Sequence, residues 1–305
     1  MDGDAAPAFR FNFGKEEAEQ VQEEQGPPEY DEPAEELIYR PEPGVPFFTE
    51  PVEVAEGLSL IKGTISSDEA AAILKDSRVA SSDLVPGKYE GGFKLWECAA
   101  DLCKAVMARY GLAAAELAGA AELQHSQLQG KKVLELGCGH GLPGIVALMG
   151  GAEVHFQDYN ACVLRRLTAP NVIANMERLP RSRPRPAAKY FAGDWRLVGE
   201  HLTGRGYGGH YDLILSSETI YSVPAQERLL ECIKRLLQPP HGVALVAAKR
   251  YYFGVGGGSK SFRELVERDG IFETSVVAEV EEKGSGNVRE VLLLKFPAAI
   301  HPYFL

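Results

Sequence analysis

The chain has 305 residues, 45% hydrophobic and 25% charged, a balance typical of a folded protein with room for one large domain and an extension. No run approaches the roughly 18 apolar residues of a membrane-spanning helix, and the first residues lack the pattern of a secretory signal or a mitochondrial presequence. The formal net charge of −11 is uneven, because residues 1–56 hold 16 Asp and Glu against three basic residues.

The cysteines and histidines argue against disulfides and bound metals. Five cysteines are an odd number without a C-x-x-C pair, and the seven histidines show no spacing typical of a zinc site. Secreted disulfide scaffolds use paired cysteines, and structural zinc sites use closely spaced Cys and His. We therefore expect reduced thiols, a cytosolic or nuclear protein, and no metal.

Composition divides the chain into three segments. Residues 1–44 are rich in Glu, Pro and Gln and poor in branched apolar residues, which predicts an acidic disordered tail. Residues 45–90 hold a predicted strand (LSLIKGTI) and a capped helix (SSDEAAAILKD), and we expect them to pack on the core as an N-terminal extension. Residues 91–305 form the main domain, which opens with an amphipathic helix from about residue 96 to 110.

From residue 132 onward, strands and helices alternate. Predicted strands at about 132–136, 152–158, 189–193, 211–217 and 242–249 are separated by helical segments, and two last strands, 272–282 and 287–296, are predicted to pair antiparallel. Alternating β and α units predict an α/β fold with a mostly parallel, doubly wound sheet and helices on both faces. The C-terminal antiparallel hairpin departs from this pattern, because a nucleotide-binding fold with a purely parallel sheet does not need one.

The stretch ELGCGHG, directly after the strand at 132–136, admits two interpretations. GHGLPG fits the G-x-G-x-x-G of a dinucleotide site, with Asp158 nineteen residues after Gly139. Counted from Glu135, the stretch places an acid two residues before G-x-G-x-G, as in loops that bind S-adenosylmethionine (SAM). A carboxylate would repel a pyrophosphate but suit the ammonium and sulfonium of SAM. The residues therefore favour SAM, with Glu135 and the glycine loop (Gly137, Cys138, Gly139) at its methionyl part.

Acids also end the next two strands. Asp158 is placed to accept hydrogen bonds from both ribose hydroxyls of either ligand, so it indicates the fold and not the cofactor. In FAGDW, Asp194 is a candidate acceptor for an adenine amino group, with Trp195 against the ring. The alternative role of Asp194 is a helix N-cap.

The strand at 211–217 leads into SSETIY, at the edge of the sheet where ligands bind in such folds. A carboxylate at Glu218 would orient a nitrogen nucleophile, and the ring of Tyr221 would flank the acceptor or the sulfonium. A histidine acceptor is mostly neutral at pH 7, whereas deprotonating a lysine costs about 4.6 kcal/mol. The residues alone leave both acceptors open.

Six stretches taken together resemble the eukaryotic histidine protein methyltransferases, the methyltransferase-like 18 type, over about residues 45–296: SDLVPGKYEGGFKLWEC, KKVLELGCGHGLPGI, VHFQDYN, PNVIAN, SSETIY and YYFGVGGG. The resemblance implies a seven-stranded class I SAM methyltransferase fold and transfer of one methyl group to a protein histidine. It also implies the third protein of the large ribosomal subunit as substrate, a place in cytoplasm and nucleus, and an effect on ribosome maturation and translation. The matching positions place these residues by the cofactor: Trp96, Glu97, Gly137, Cys138, Gly139, Gln157, Asp158, Tyr159, Gly193, Asp194, Trp195 and Ser216.

Two alternatives stay open: a lysine methyltransferase of the same fold, and a non-catalytic module that keeps SAM as a structural ligand. The glycine-rich YYFGVGGG (251–258) and the arginines of 178–185 are candidate substrate contacts, with a plain turn and a solvated loop as their alternatives. Four arginines are too few for a nucleic-acid module. We therefore expect a protein substrate, no membrane, no dedicated nucleic-acid site, and a monomer.

Overall fold

The computed structural model describes residues 30–123, 126–281 and 287–304. The strands in these ranges are β1 (Glu35–Leu37), β2 (Thr49–Ala55), β3 (Leu58–Gly63), β4 (Lys132–Leu136), β5 (Glu153–Asp158), β6 (Ala188–Ala192), β7 (Leu213–Ser217), β8 (Val243–Lys249), β9 (Glu273–Glu281) and β10 (Val288–Lys295). The α-helices are α1 (Ser67–Leu74), α2 (Cys98–Tyr110), α3 (Ala114–Leu117), α4 (Leu142–Met149), α5 (Ala161–Val163), α6 (Ala169–Glu177), α7 (Trp195–Gly204), α8 (Val223–Leu236) and α9 (Ser259–Asp269). Two 3-10 turns (Ser77–Ala80 and Ala298–Phe304) and a π-helical turn (Leu164–Thr168) complete them. None of these helices is long and apolar enough to cross a membrane.

Eight strands form one sheet in the order β1-β6-β5-β4-β7-β8-β10-β9. The five central strands, from β6 to β8, are parallel. At one edge β10 and β9 form an antiparallel hairpin, and at the other β1 runs antiparallel to β6. This arrangement is a class I SAM methyltransferase fold, so the predicted α/β fold with its C-terminal hairpin is confirmed. The predicted number of strands, seven, is wrong by one.

The additional strand, β1, comes from the segment predicted to be a disordered tail. Residues 1–29 of that segment lie outside the described part, but residues 35–37 pair with residues 192–190 of β6. The side chain of Leu37 is buried against the core, while Glu35 and Glu36 stay towards solvent. A three-residue edge strand needs only one buried side chain, so an acidic composition that predicts disorder does not exclude it.

Hydrophobic cores cover both faces of the sheet. Residues of α2, α4 and α6 form one core, and residues of α7, α8 and α9 form the other. Every residue of β8 is buried, as expected for a strand covered on both sides. The start of α8 is set by sequence, because the Ser222 side chain accepts from the amide of Ala225 and Pro224 occupies the first turn.

The hairpin of β2 and β3, within the predicted extension 45–90, is attached to α6 by two asparagines. Asn171 Oδ1 accepts from the amide of Gly63 (2.6 Å), and Asn175 Oδ1 accepts from the amide of Ile61 (2.8 Å). The Asn171 amide group also donates to the carbonyl of His140 (3.0 Å), inside the glycine-rich loop. The extension is therefore fixed to the same helix that supports the loop after β4.

Candidate active site

A cavity with about 800 Å³ of empty space, partly open to solvent, lies at the carboxyl ends of β4, β5, β6 and β7. Of the fifteen predicted site residues, twelve line it: Trp96, Glu135, Gly137, Cys138, Gly139, Asp158, Tyr159, Gly193, Asp194, Trp195, Glu218 and Tyr221. The remaining three, Glu97, Gln157 and Ser216, lie outside the lining.

The glycine-rich loop between β4 and α4 forms one wall of the cavity. Gly137 has φ of 63° and Gly139 has φ of 47°, a left-handed backbone that favours glycine. A Cβ on Gly137 would lie 2.6 Å from the methyl group of Thr219, so the space there is also closed to any side chain. The loop thus presents bare backbone to the cavity.

Two buried carboxylates stand at this wall. The amide of Gly144, in the first turn of α4, donates to Glu135 Oε2 (2.8 Å), and the amide of Gly139 donates to Asp158 Oδ2 (2.9 Å). Neither acid forms a salt bridge within the described residues. Burial raises the pKa of Glu135 to about 8 and that of Asp158 to about 6. A cationic ligand, or one that donates hydrogen bonds, would stabilise their ionised forms.

A neutral histidine lines the same end of the cavity. Burial lowers the pKa of His140 to about 3, so its ring carries no charge at neutral pH. Its Nδ1 is buried and lacks a hydrogen-bond partner among the described residues.

Gln157 and Ser216 lie outside the lining and form hydrogen bonds with the segments that carry it. Gln157 Oε1 accepts from the amide of Gly137 (3.1 Å) and from Trp195 Nε1 (2.9 Å), so it couples the glycine loop to the tryptophan. Ser216 donates to the carbonyl of Leu136 (2.8 Å), which ties β7 to β4 at the start of the loop.

Glu97, which also lies outside the lining, contacts two basic side chains, Lys249 and Arg289. Its carboxylate lies 3.2 Å from Lys249 Nζ and 3.6 Å from Arg289 Nη1. Glu97, Gln157 and Ser216 thus lie outside the cavity lining, and their assignment to the cofactor stays a prediction.

The opposite end of the cavity is built around Arg228. Its guanidinium forms a salt bridge with Asp194 (3.3 Å) and lies 3.3 Å from the ring centre of Tyr30 and 5.9 Å from that of Trp195. Asp194 also accepts from the amide of Arg196 (2.9 Å) and so caps α7. Both roles considered for Asp194 from sequence are thus compatible, since the cap leaves the carboxylate in the lining. Tyr30 and Arg228 were not predicted, because nothing local marks them.

The segment after β7 turns its acid into the cavity by an unusual backbone. Glu218 has φ of 58°, a left-handed conformation that non-glycine residues seldom adopt. Its carboxylate accepts from the hydroxyl of Tyr252 and from the amide of Cys98 (3.4 Å). Burial raises the pKa of Glu218 above its ordinary value.

Tyr221 forms a second pair of the same kind. Its hydroxyl donates to Glu90 Oε2, while Glu90 Oε1 accepts from the amide of Gly87 (2.8 Å). Glu90 lies in the loop VPGKYEGG and lines the cavity. Sequence analysis missed Glu90 and Tyr252, although both lie in stretches that carry the family resemblance.

The glycine-rich loop 251–258 packs tightly against the SSETIY segment. The amide of Gly257 donates to the carbonyl of Tyr221 (3.0 Å), and that of Gly258 donates to the carbonyl of Ile220 (3.0 Å). A Cβ on Gly257 would lie 2.2 Å from the carbonyl carbon of Tyr221. These glycines therefore allow close packing that positions Tyr252 beside Glu218.

The arginines of residues 178–185 serve mainly the fold. Arg183 donates to the carbonyl of Glu116, Arg185 to the carbonyls of Met176 and Leu179, and Arg178 to that of Ser59. Guanidinium groups engaged with carbonyls have fewer donors left for a phosphate. Three of the four guanidinium groups thus bind backbone carbonyls of the fold, a role that neither the substrate contact nor the solvated loop predicted.

Across the described ranges, no group of three His, Cys, Asp or Glu side chains is placed to hold a metal ion.

Comparison with known proteins connects this site to methyl transfer. A family model described as lysine methyltransferase matches residues 87–268. A histidine protein methyltransferase 1 homolog from Dictyostelium discoideum is 41% identical over 211 residues, covering 69% of this chain and 60% of that protein. A homolog of the same name from Rattus norvegicus is 40% identical over 228 residues, covering 69% of this chain and 59% of its own length.

A lysine-directed relative is more distant. EEF1A lysine methyltransferase 3 from Mus musculus is 30% identical over 203 residues, which cover 65% of this chain and 78% of that protein. The chain spans about three fifths of the length of the histidine-directed relatives described above.

Proposed function

Because the chain belongs to the protein methyltransferase family described as lysine methyltransferase, we propose that it transfers a methyl group from SAM to a histidine side chain of a protein. The observation that carries the choice of histidine is the set of relatives at about 40% identity named histidine protein methyltransferase, against 30% for the lysine-directed relative. The product of the cofactor would be S-adenosylhomocysteine (SAH).

The residues of the cavity fit SAM as cofactor. The ribose hydroxyls would donate to Asp158, and the ammonium of the methionyl part would pair with Glu135 beside the glycine loop. Neither carboxylate has a salt-bridge partner in the described chain, and both line the cavity. At the other end, Trp195 would pack against the adenine and Asp194 would accept from its amino group.

The chain's own residues would act on the acceptor by positioning it. SAM, when bound, supplies an electrophilic methyl group on a sulfonium. Glu218 would accept the N–H of the acceptor ring and thereby select the tautomer whose free lone pair faces the methyl group. Tyr221 would flank the ring and exclude water. Most of the rate enhancement of such an in-line transfer comes from holding the two reactants in line.

The proposed substrate and cellular location are more specific than membership of the family. We propose a large-subunit ribosomal protein as substrate, an effect on ribosome maturation and translation, a monomeric enzyme, and a place in cytoplasm and nucleus. The support is the resemblance of six separate stretches to the methyltransferase-like 18 type. The acceptor end of the cavity, with its buried acids and tyrosines, is consistent with a protein side chain entering it.

A lysine acceptor is the second candidate, favoured by the description of the family model and by the EEF1A lysine methyltransferase 3 match. Such an acceptor must first lose a proton, at a cost of about 4.6 kcal/mol at pH 7. A non-catalytic SAM-binding module is the third candidate. The buried acid with a strained backbone at Glu218 argues against it, since a binder does not need one.

The test is the identity of the methylated amino acid. The purified chain is incubated with methyl-tritiated SAM and an extract enriched in unassembled large-subunit ribosomal proteins, and the labelled band is hydrolysed to amino acids. Tritium in methylhistidine is the expected result. Tritium in methyllysine would refute the choice of acceptor while keeping fold and cofactor. An unlabelled extract, together with intact SAM binding, would support the non-catalytic module. The Glu218→Gln variant is the matched control and should bind SAM without labelling the band.

A further inference from the structure

The side chain of Tyr30 joins two elements that lie on either side of β4. Its ring packs edge to face against the ring of Tyr159, which directly follows β5, with 6.1 Å between the ring centres. The same ring contacts the guanidinium of Arg228, in the helix that follows β7. Because β4 lies between β5 and β7 in the sheet, Tyr30 spans the strand whose glycine-rich loop forms the cavity wall. All three side chains line the cavity, so Tyr30 covers part of it.

The N-terminal segment, residues 30–37, is held by residues that themselves line the cavity. The amide of Asp194 donates to the carbonyl of Glu32 (2.9 Å). Gly193 packs so closely on the segment that a Cβ there would lie 2.6 Å from the carbonyl oxygen of Pro33. Since Gly193 and Asp194 both line the cavity, the segment and a ligand in the cavity would contact the same two residues.

The N-terminal segment is only lightly fastened to the sheet. β1 is three residues long and has a single buried side chain. Its acids Glu35 and Glu36 pair with Arg165 (3.5 Å) and Arg205 (2.7 Å) at the surface, where salt bridges stabilise little. Short edge elements with few buried contacts open locally at a small cost in free energy. The segment can therefore detach while the rest of the sheet stays folded.

Arg228 connects the N-terminal segment to the residues proposed to hold the adenine. Its guanidinium forms the salt bridge with Asp194 (3.3 Å) and lies 5.9 Å from the ring centre of Trp195. A guanidinium is planar and stacks on an aromatic face, as it does on Tyr30 at 3.3 Å, whereas the ammonium of a lysine has no such plane. Loss of the Tyr30 ring would uncover this end of the cavity and leave Asp194 and Trp195 in place.

We propose that the N-terminal segment closes over the bound cofactor, and that Tyr30, stacked on Arg228, retains SAM and SAH in the cavity. The inference rests on the proposed function, because it concerns the cofactor of that reaction. It goes beyond the family, since residues 30–37 precede the family match at residues 87–268. The SAH formed in each turnover leaves only after Tyr30 has parted from Arg228.

The first experiment measures release of SAH and does not depend on turnover. Both tryptophans, Trp96 and Trp195, line the cavity, so stopped-flow tryptophan fluorescence of the full chain reports SAH binding. The observed rate rises with SAH concentration, and its intercept gives koff. We expect Tyr30→Ala to raise koff about tenfold, or ~1.4 kcal/mol, and Tyr30→Phe, which keeps the ring, to stay within about twofold of wild type. An unchanged koff in Tyr30→Ala would overturn the proposal.

The matched control is Tyr251→Ala. Tyr251 also has a cation over its ring, that of Lys260 at 5.9 Å, but it lies outside the cavity lining. Its koff for SAH should equal that of wild type. A rise in koff as large as that of Tyr30→Ala would show that loss of any such surface pair has this effect, and would overturn the proposal.

Arg228→Lys tests the same contact from the other partner and guards against misfolding of Tyr30→Ala. A lysine at 228 can still pair with Asp194 but cannot stack on the ring, so koff should again rise. The double variant Tyr30→Ala/Arg228→Lys should release SAH no faster than Tyr30→Ala alone, because both substitutions remove one contact. Effects that multiply in the double variant would contradict this coupling and overturn the proposal.

Amide hydrogen exchange in wild type tests closure without any substitution. A ligand that the N-terminal segment covers must also hold that segment in place, so saturating SAH should slow exchange in residues 31–37 at least about fivefold. The control is β9, the edge strand at the other end of the sheet, whose exchange should be unchanged. Exchange in residues 31–37 that ignores SAH, or equal slowing at both edges, would overturn the proposal.

This proposal and the proposed function fail in different ways. A wild-type chain that binds no SAH would refute the proposed function. Methyllysine in the tritium assay would refute the choice of acceptor and leave the closure over the cofactor in place. Methylhistidine formed by wild type, together with an unchanged koff in Tyr30→Ala, would refute the closure and leave the function in place.

Discussion

Two buried acids should make cofactor binding depend on pH. Glu135 and Asp158 lie at the cavity wall with pKa values that burial raises to about 8 and about 6. In the proposed complex both are ionised, because one pairs with an ammonium and the other accepts from hydroxyl groups. Protons therefore compete with the cofactor, and its affinity follows the ionised fraction of each carboxyl group.

The size of the effect follows from the pKa values. A carboxyl group with a pKa of about 8 is ionised to about one part in eleven at pH 7 and to about ten parts in eleven at pH 9. Through Glu135 alone, the affinity for SAH should rise about tenfold between these pH values. Asp158, with its pKa of about 6, adds a loss of about tenfold between pH 7 and pH 5.

The assay is isothermal titration of SAH into wild type and Glu135→Gln across this pH range. A glutamine at 135 still accepts from the amide of Gly144 but does not titrate, so the tenfold gain above pH 7 should be absent from the variant. The amine of SAH ionises identically in both titrations and cancels in the comparison. Parallel pH profiles for the two proteins would refute the assignment of Glu135 to the cofactor.

Four further outcomes are expected. Without ligand, the unfolding free energy of Glu135→Gln should gain on the order of 3 kcal/mol relative to wild type between pH 5 and pH 8, as measured by urea denaturation. The pKa of Glu135 is higher in the folded than in the unfolded state, so wild type loses stability as the pH rises through this range. A difference in unfolding free energy that stays constant with pH would contradict this. Asp158→Ala should abolish measurable SAM binding, and unchanged affinity would remove its assignment to the ribose. Glu218→Gln should keep SAM affinity and lose about 10²-fold in rate, whereas full activity would reduce Glu218 to a structural acid. Gly193→Ala should detach β1, seen as faster amide exchange in residues 35–37, because its Cβ would lie 2.6 Å from the carbonyl oxygen of Pro33; unchanged exchange would contradict the packing.

Much of the fold was predictable because its signals are local. Alternating strands and helices predict a parallel sheet, and such a sheet brings the ends of all its strands to one edge. That rule alone was enough to predict that Glu135, Asp158, Asp194 and Glu218 lie around one cavity. The glycine-rich loop was also predictable, because its positive φ values need glycine and Glu135 comes two residues before Gly137.

The missed parts depend on distant contacts or on weak local signals. Glu90 reaches the acceptor segment across 131 residues, and Tyr252 meets Glu218 across 34, through loops whose path the sequence does not specify. Glu97 was placed by the cofactor through the family resemblance, whereas its contact with Lys249, 3.2 Å away, joins segments 152 residues apart in the chain. Tyr30 escaped notice because it lies in a segment whose acidic, proline-rich composition predicts disorder.

The position of β1 bears on how this protein is best shortened. The compositional boundary lies near residue 44, and a chain beginning there would lose the strand that covers β6. The outer row of amides and carbonyls of β6 would then be unpaired, and open strand edges of this kind pair with other molecules. A chain trimmed by composition should therefore self-associate and lose the contact of Tyr30 with Arg228, whereas one that begins before Tyr30 should remain dispersed.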